Sequence, residues 1–167
     1  PLSMGKLPVK GLVATHAYDD VVSDSAASGT ALATGRRTRV GVVGMAATAD
    51  GLEPSESVLE RAESTGKSTG LVTTTSVTHA TPAAFYSHQS DRGDETAIAR
   101  SLVDFGERVS NADGIDYIAG GGGKFFDVES RKMLEKQGVE VTDGWNADVV
   151  SQGRAMRLVS QKALQPA

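Results

Sequence analysis

Apolar residues along this chain fall into short clusters whose spacing changes from one stretch to the next. In DETAIARSLVDFGERV (94–109), Ile98, Leu102, Phe105 and Val109 form one stripe at helical spacing, with Asp94 placed to cap the first turn. The stretch from 25 to 34 is rich in alanine and reads as a helix, with Gly35 where a left-handed terminating residue belongs. Pro54 and the following SESVLERAEST open another helix, with Val58, Leu59 and Ala62 on one face and Gly66 as its stop. DVESRKMLEKQG (127–138) gives a further helix with Met133 and Leu134 inward, and NADVVSQGRAMRLV (146–159) a last one.

Between these lie runs with strand character. The β-branched run from Leu71 to Val77 predicts a buried strand that cannot continue past Pro82. IDYIAGGGG (115–123) is a short strand running into a glycine loop, and VEV (139–141) another strand. LVATH (12–16) and the pair at 21–22 read as short strands too, although residues 1–20 show no overall period and resemble a connecting segment. Residues 39–48 are punctuated by glycine, and ADG (49–51) is a turn signal. Strands alternating with helices predict an α/β domain with a largely parallel central sheet and helices on both faces.

Composition narrows this picture. Leu, Ile, Val and Phe supply 36 of the 167 residues, only slightly above the roughly 20% below which chains tend to stay disordered. The core this chain can build alone is thin, which points to one partial domain over 1–167. A net charge of −4 with scattered Lys and Arg argues against nucleic-acid and anionic-membrane partners. No apolar run approaches the ~20 residues of a membrane span, and PLSMGKLPVKG lacks the apolar stretch of a signal peptide. There is no cysteine, so disulfide and thiol chemistry are excluded.

Candidate chemistry begins at VVSDSAASGTALATG (21–35), where an apolar pair runs into Asp24-Ser25 and then a row of small residues. A serine at a helix start is commonly an N-cap. The other reading is a nucleophile at the positive end of a helix, where free N–H groups attract an anion. Ala26, Ala27 and Gly29 suit either close approach of a tetrahedral phosphate or tight helix packing. Further on, His79 and Thr81 stand two apart at a predicted strand end and would share a face if the strand continued; the alternative is a loop histidine and a turn threonine. Arg92 has a donor fork suited to phosphate, or is a surface arginine, and His88 reads as a rim residue. The glycine run 120–123 with Lys124 is not a phosphate loop, because Phe125 replaces the required Ser or Thr.

Taken together and in order, these stretches resemble the alkaline phosphatases. The family's nucleophile signature is an aliphatic residue, any residue, Asp-Ser, three small residues, Gly or Ala, and Thr; VSDSAASGT (22–30) fits all nine positions. GKLPVKGLVATHAYDD resembles the lead-in segment, THATPAAFYSHQSDR the stretch with metal and phosphate residues, and DYIAGGGGKFF the following glycine-rich strand end. The resemblance runs from about residue 5 to about residue 126. It implies a three-layer α/β fold and hydrolysis of phosphate monoesters through a phosphoserine intermediate.

It also implies a role for each matching residue. Ser25 is the nucleophile and faces the zinc ions, Asp24 orients the arginine, and Arg92 holds two phosphate oxygens. Thr81 belongs to the magnesium site, with His79 at a position where the family has Asp or His. Cofactors would be two Zn2+ and one Mg2+, and the substrates small phosphate esters; the family is often dimeric, and periplasmic or secreted.

Two departures qualify this. No histidine follows residue 88, and no Gly-Asp-Gly-Met-like strand end precedes Ser25. Most zinc ligands are therefore expected outside this stretch, which would be inactive alone as an internal portion of a longer enzyme. A short anion- or partner-binding module that keeps the phosphate pocket, and a sister-branch phosphodiesterase, are the alternatives.

Overall fold

The computed structural model of the chain describes residues 8–9, 11, 13–144 and 153–159. Its frame is a four-stranded parallel sheet in the order β3-β4-β6-β5, made of Gly70–Ser76 (β3), Tyr117–Gly121 (β4), Glu140–Asp143 (β5) and Ala155–Val159 (β6). Tyr117 lies opposite both Gly70 and Ala155, and Ala155 in turn opposite Glu140, so the register carries straight across at this end, while β3 and β4 shift register between Val72 and Ser76. A separate antiparallel hairpin joins Met45–Thr48 (β1) to Gly51–Pro54 (β2) around the turn read from ADG.

Among the described residues six α-helices accompany the strands: Ser25–Thr34 (α1), Val58–Ser64 (α2), Ala80–Ala83 (α3), Glu95–Val103 (α4), Phe105–Arg108 (α5) and Val128–Lys136 (α6). Ile98 and Leu102 of α4, Phe105, Ile118 of β4, Leu134 of α6, and Met156 and Leu158 of β6 form the core with Val77 and Tyr86. The α4 stripe read from the sequence is thus the buried one. Asp94 caps it as expected, accepting from the Ala97 N–H at 2.9 Å.

Several expectations give way. Residues 13–16 and 21–22 form no strand, and residue 12 lies outside the described residues. Residues 155–159 are a central strand of the sheet, not the end of a helix; residues 153–154 are not helical either, and 146–152 lie outside the described residues. Backbone pairing on both sides of β6 wins over a weak helical period. The helix expected from Pro54 starts at Val58, because Pro54 closes the hairpin and Ser57 caps the helix. Val58 is exposed, while Glu60 and Glu63 are buried instead. The run at 70–76 is an edge strand and not a buried one, with Val72 exposed. The long helix at 94–109 breaks at Asp104 into α4 and α5.

Candidate active site

The site is built where α1 begins. Asp24, not Ser25, is the N-cap: one carboxylate oxygen accepts from the Ala27 N–H at 2.9 Å. Ser25 is therefore the first helical residue, half-buried, with its hydroxyl released from capping duty. Gly35 closes the helix at φ 70°, its N–H bonded to the Ala31 carbonyl.

The small residues of the motif have distinct uses. A Cβ on Gly29 would sit 3.3 Å from the Thr81 Cα and 3.4 Å from the Ala84 Cβ, so this glycine lets α3 lie against α1. Ala26 is buried in the same cluster as Ala80, Ala83 and Ala84, and Ala27 is buried too. Thr30 is fully buried; its hydroxyl donates to the Val42 carbonyl at 3.3 Å and accepts from the Gly44 N–H at 2.9 Å. It ties the helix to the segment at 41–44.

That segment carries the arginine to the helix. Val43 and Gln89 exchange both backbone hydrogen bonds at 2.9 Å, and the Arg92 N–H donates to the Gly41 carbonyl at 2.8 Å. Arg92 then reaches the second Asp24 carboxylate oxygen through Nη1 at 2.9 Å, and the Gly41 N–H donates to that oxygen at 3.2 Å. Burial alone would raise the Asp24 carboxyl. The Ala27 N–H, the hydrogen bond and charge of Arg92 and the Gly41 N–H outweigh it and hold the group below its ordinary range.

From its other end Arg92 donates through Nη2 to His79 Nε2 at 3.1 Å. A guanidinium only donates, so this contact uses the Nε2 lone pair and places the ring proton on Nδ1. Asp24, Arg92 and His79 thus form one connected trio beside Ser25. His79 and Thr81 do not share a strand face: β3 ends at Ser76, His79 stands at the N-cap position of α3 without a side-chain cap bond, and Thr81 is an exposed residue of that short helix.

The trio does not amount to a metal centre. Among the described residues no group of three or more His, Cys, Asp or Glu side chains could hold an ion, and the His79 lone pair is engaged by Arg92.

A second polar cluster went unread in the sequence. Ser57 and Glu60 form a capping box: Ser57 Oγ accepts from the Glu60 N–H at 3.1 Å, and Glu60 Oε2 from the Ser57 N–H at 2.8 Å. The other Glu60 oxygen meets His88 Nε2 at 2.9 Å and Arg108 Nη1 at 2.6 Å. Arg108 also donates to the Tyr86 carbonyl. His88 is therefore no rim residue. Burial raises the Glu60 carboxyl, but the His88, Ser57 and Arg108 partners bring it down to about 2. The S-x-x-E spacing at 57–60 was the available signal.

Comparison with known proteins finds relatives of one kind. The family model "Alkaline phosphatase" matches residues 1–164. Alkaline phosphatase 4 of Bacillus subtilis is 38% identical over 128 residues, covering 75% of this chain and 27% of that protein. The human tissue-nonspecific alkaline phosphatase is 34% identical over 163 residues, covering 88% and 31% respectively. Among solved structures, a cold-active alkaline phosphatase from Shewanella sp. superposes with a TM-score of 0.80 at 30% identity, covering 93% of this chain and 37% of that one. A variant of the alkaline phosphatase from the Antarctic bacterium TAB5, with Mg bound in its M3 site, gives 0.77 at 28% identity, covering 93% and 44%. The chain spans about a third or less of the length of these curated relatives.

Proposed function

The chain belongs to the alkaline phosphatase family, and from that premise we propose that it supplies the nucleophile and the phosphate clamp of a phosphomonoesterase that works through a phosphoserine intermediate. The observation that carries this reading is the Asp24–Arg92–His79 trio standing beside Ser25 at the start of α1. Asp24 holds Arg92 by one nitrogen and keeps the fork turned toward the helix start. The remaining guanidinium donors and the positive end of α1 favour the equatorial oxygens of a phosphoryl group. Ser25 Oγ forms a bond to phosphorus, the ester P–O bond breaks and the alcohol departs; water then releases phosphate from the serine.

In this proposal two zinc ions and one magnesium ion would complete the centre, with Ser25 facing zinc, Thr81 lending to the magnesium site and His79 standing beside that site with its Nε2 lone pair on Arg92. Most of the zinc ligands would come from outside the residues described. The substrates proposed are small phosphate esters, and a homodimer exported to the periplasm or the medium is part of the same reading. No helix among the described residues is long and apolar enough to cross a membrane.

The test is made on the complete enzyme. Ser25→Ala is expected to cut p-nitrophenyl phosphate turnover by more than about a thousandfold and to abolish acid-stable phosphate labelling, while inorganic phosphate still binds. Arg92→Ala is expected to weaken phosphate binding and leave residual turnover. Normal turnover in the Ser25 variant would overturn the nucleophile assignment, and faster cleavage of diesters than monoesters would overturn the monoesterase reading.

A further inference from the structure

The link between β3 and α3, residues 76–79, is fastened at an unusual number of points. Ser76 and Thr78 are fully buried, and both hydroxyls donate to the same Glu95 carboxylate oxygen, at 2.7 and 2.6 Å. Between them, the Val77 carbonyl accepts from the buried Tyr86 hydroxyl at 2.8 Å, and the Val77 N–H donates to the Gly121 carbonyl at 3.0 Å. The His79 N–H closes the turn onto the Ser76 carbonyl at 3.0 Å. Gly122, at φ 92°, passes so close that a Cβ there would lie 2.7 Å from the Ser76 Cβ.

Glu95 is not needed to start its own helix, since Asp94 already caps α4. Its carboxylate is instead given to the turn. This places Glu95 between the two halves of the trio: Thr78 immediately precedes His79, and Arg92 lies three residues before Glu95. Hydroxyl bonds to a half-buried carboxylate are charge-assisted and short, and two on one oxygen fix both the height and the rotation of the turn.

We propose that Glu95 is a positioning residue. It locks the His79 turn to the segment carrying Arg92, and so sets the imidazole–guanidinium geometry on which phosphate affinity depends. The inference rests on the phosphate-clamp reading above.

It is tested by calorimetric titration of the complete, metal-loaded protein with inorganic phosphate, at a temperature well below unfolding and beside its thermal midpoint. Glu95→Ala and Thr78→Val are expected to weaken phosphate binding about tenfold. Glu95→Gln keeps an oxygen able to accept both hydroxyls and is expected to bind close to wild type. Arg131→Ala removes an ion pair to Asp143 elsewhere in the fold and is expected to leave phosphate binding unchanged. If Glu95→Ala and Thr78→Val bind phosphate like wild type while Arg92→Ala does not, Glu95 serves stability alone and the proposal fails. If Arg92→Ala also binds like wild type, the clamp itself is wrong and the proposal falls with it. Should Glu95→Ala not fold, Thr78→Val against Glu95→Gln decides on the same terms.

Discussion

At the scale of single residues, the strongest electrostatic commitment lies at Glu60, away from the candidate active site. Its side chain is almost wholly buried, yet it stays ionised because His88, Arg108 and the Ser57 N–H all face it. In the unfolded chain the carboxyl titrates near 4.5, and in the fold at about 2. A depressed folded value means stabilisation that is fully present above the unfolded value and lost as pH falls through the folded one. That difference is worth about 3 kcal/mol, so denaturant unfolding should show stability falling between pH 4.5 and pH 2. Glu60→Gln should flatten that fall. At neutral pH the same variant leaves Arg108 and His88 facing no charge and should cost about 3–5 kcal/mol. Asp24 contributes in the same direction, with its carboxyl also held low.

At the scale of elements, glycine positions separate steric from conformational cost. Gly44 sits at φ 64°, and a Cβ there would lie 1.9 Å from the Ser87 carbonyl oxygen; Gly35 is at φ 70° with open space around it. Gly35→Ala should cost about 1 kcal/mol, the left-handed penalty alone. Gly44→Ala should cost clearly more, because the hairpin must also move off the 87–89 segment; thermal melts of the two variants check the order. The same distinction explains what could be read in advance. The α1 and α4 helices were legible because Asp94, Gly35 and the Ile98 stripe act locally. Serine and aspartate share cap chemistry, so the sequence could not tell which of Asp24 and Ser25 capped α1. The strand at 155–159 was hidden because its stability comes from neighbours on both sides, which no local pattern reveals. Likewise Arg92, 68 residues from Asp24, entered the site through the Val43–Gln89 bridge. Family resemblance pointed to both residues, but their spacing alone did not.

At the scale of the whole molecule, the matched structures share the α/β frame, while the chain corresponds to less than half of each of them. The sheet order β3-β4-β6-β5 has a consequence for how the chain is made. A ribosome releases β5 before β6, yet among the described residues β5 has its sheet partner only in β6, which must slide in between β4 and β5. Until residue 159 is clear of the exit tunnel, β5 waits with its backbone groups in water, and so does one side of β4. Parallel pairing across such separations is slow to nucleate. A nascent chain stalled before residue 155 should therefore be readily cleaved by protease around 139–143, and one stalled well past 159 should resist. Synthesis order would then make β6, the last of these four strands to emerge, the keystone that joins β5 to β4.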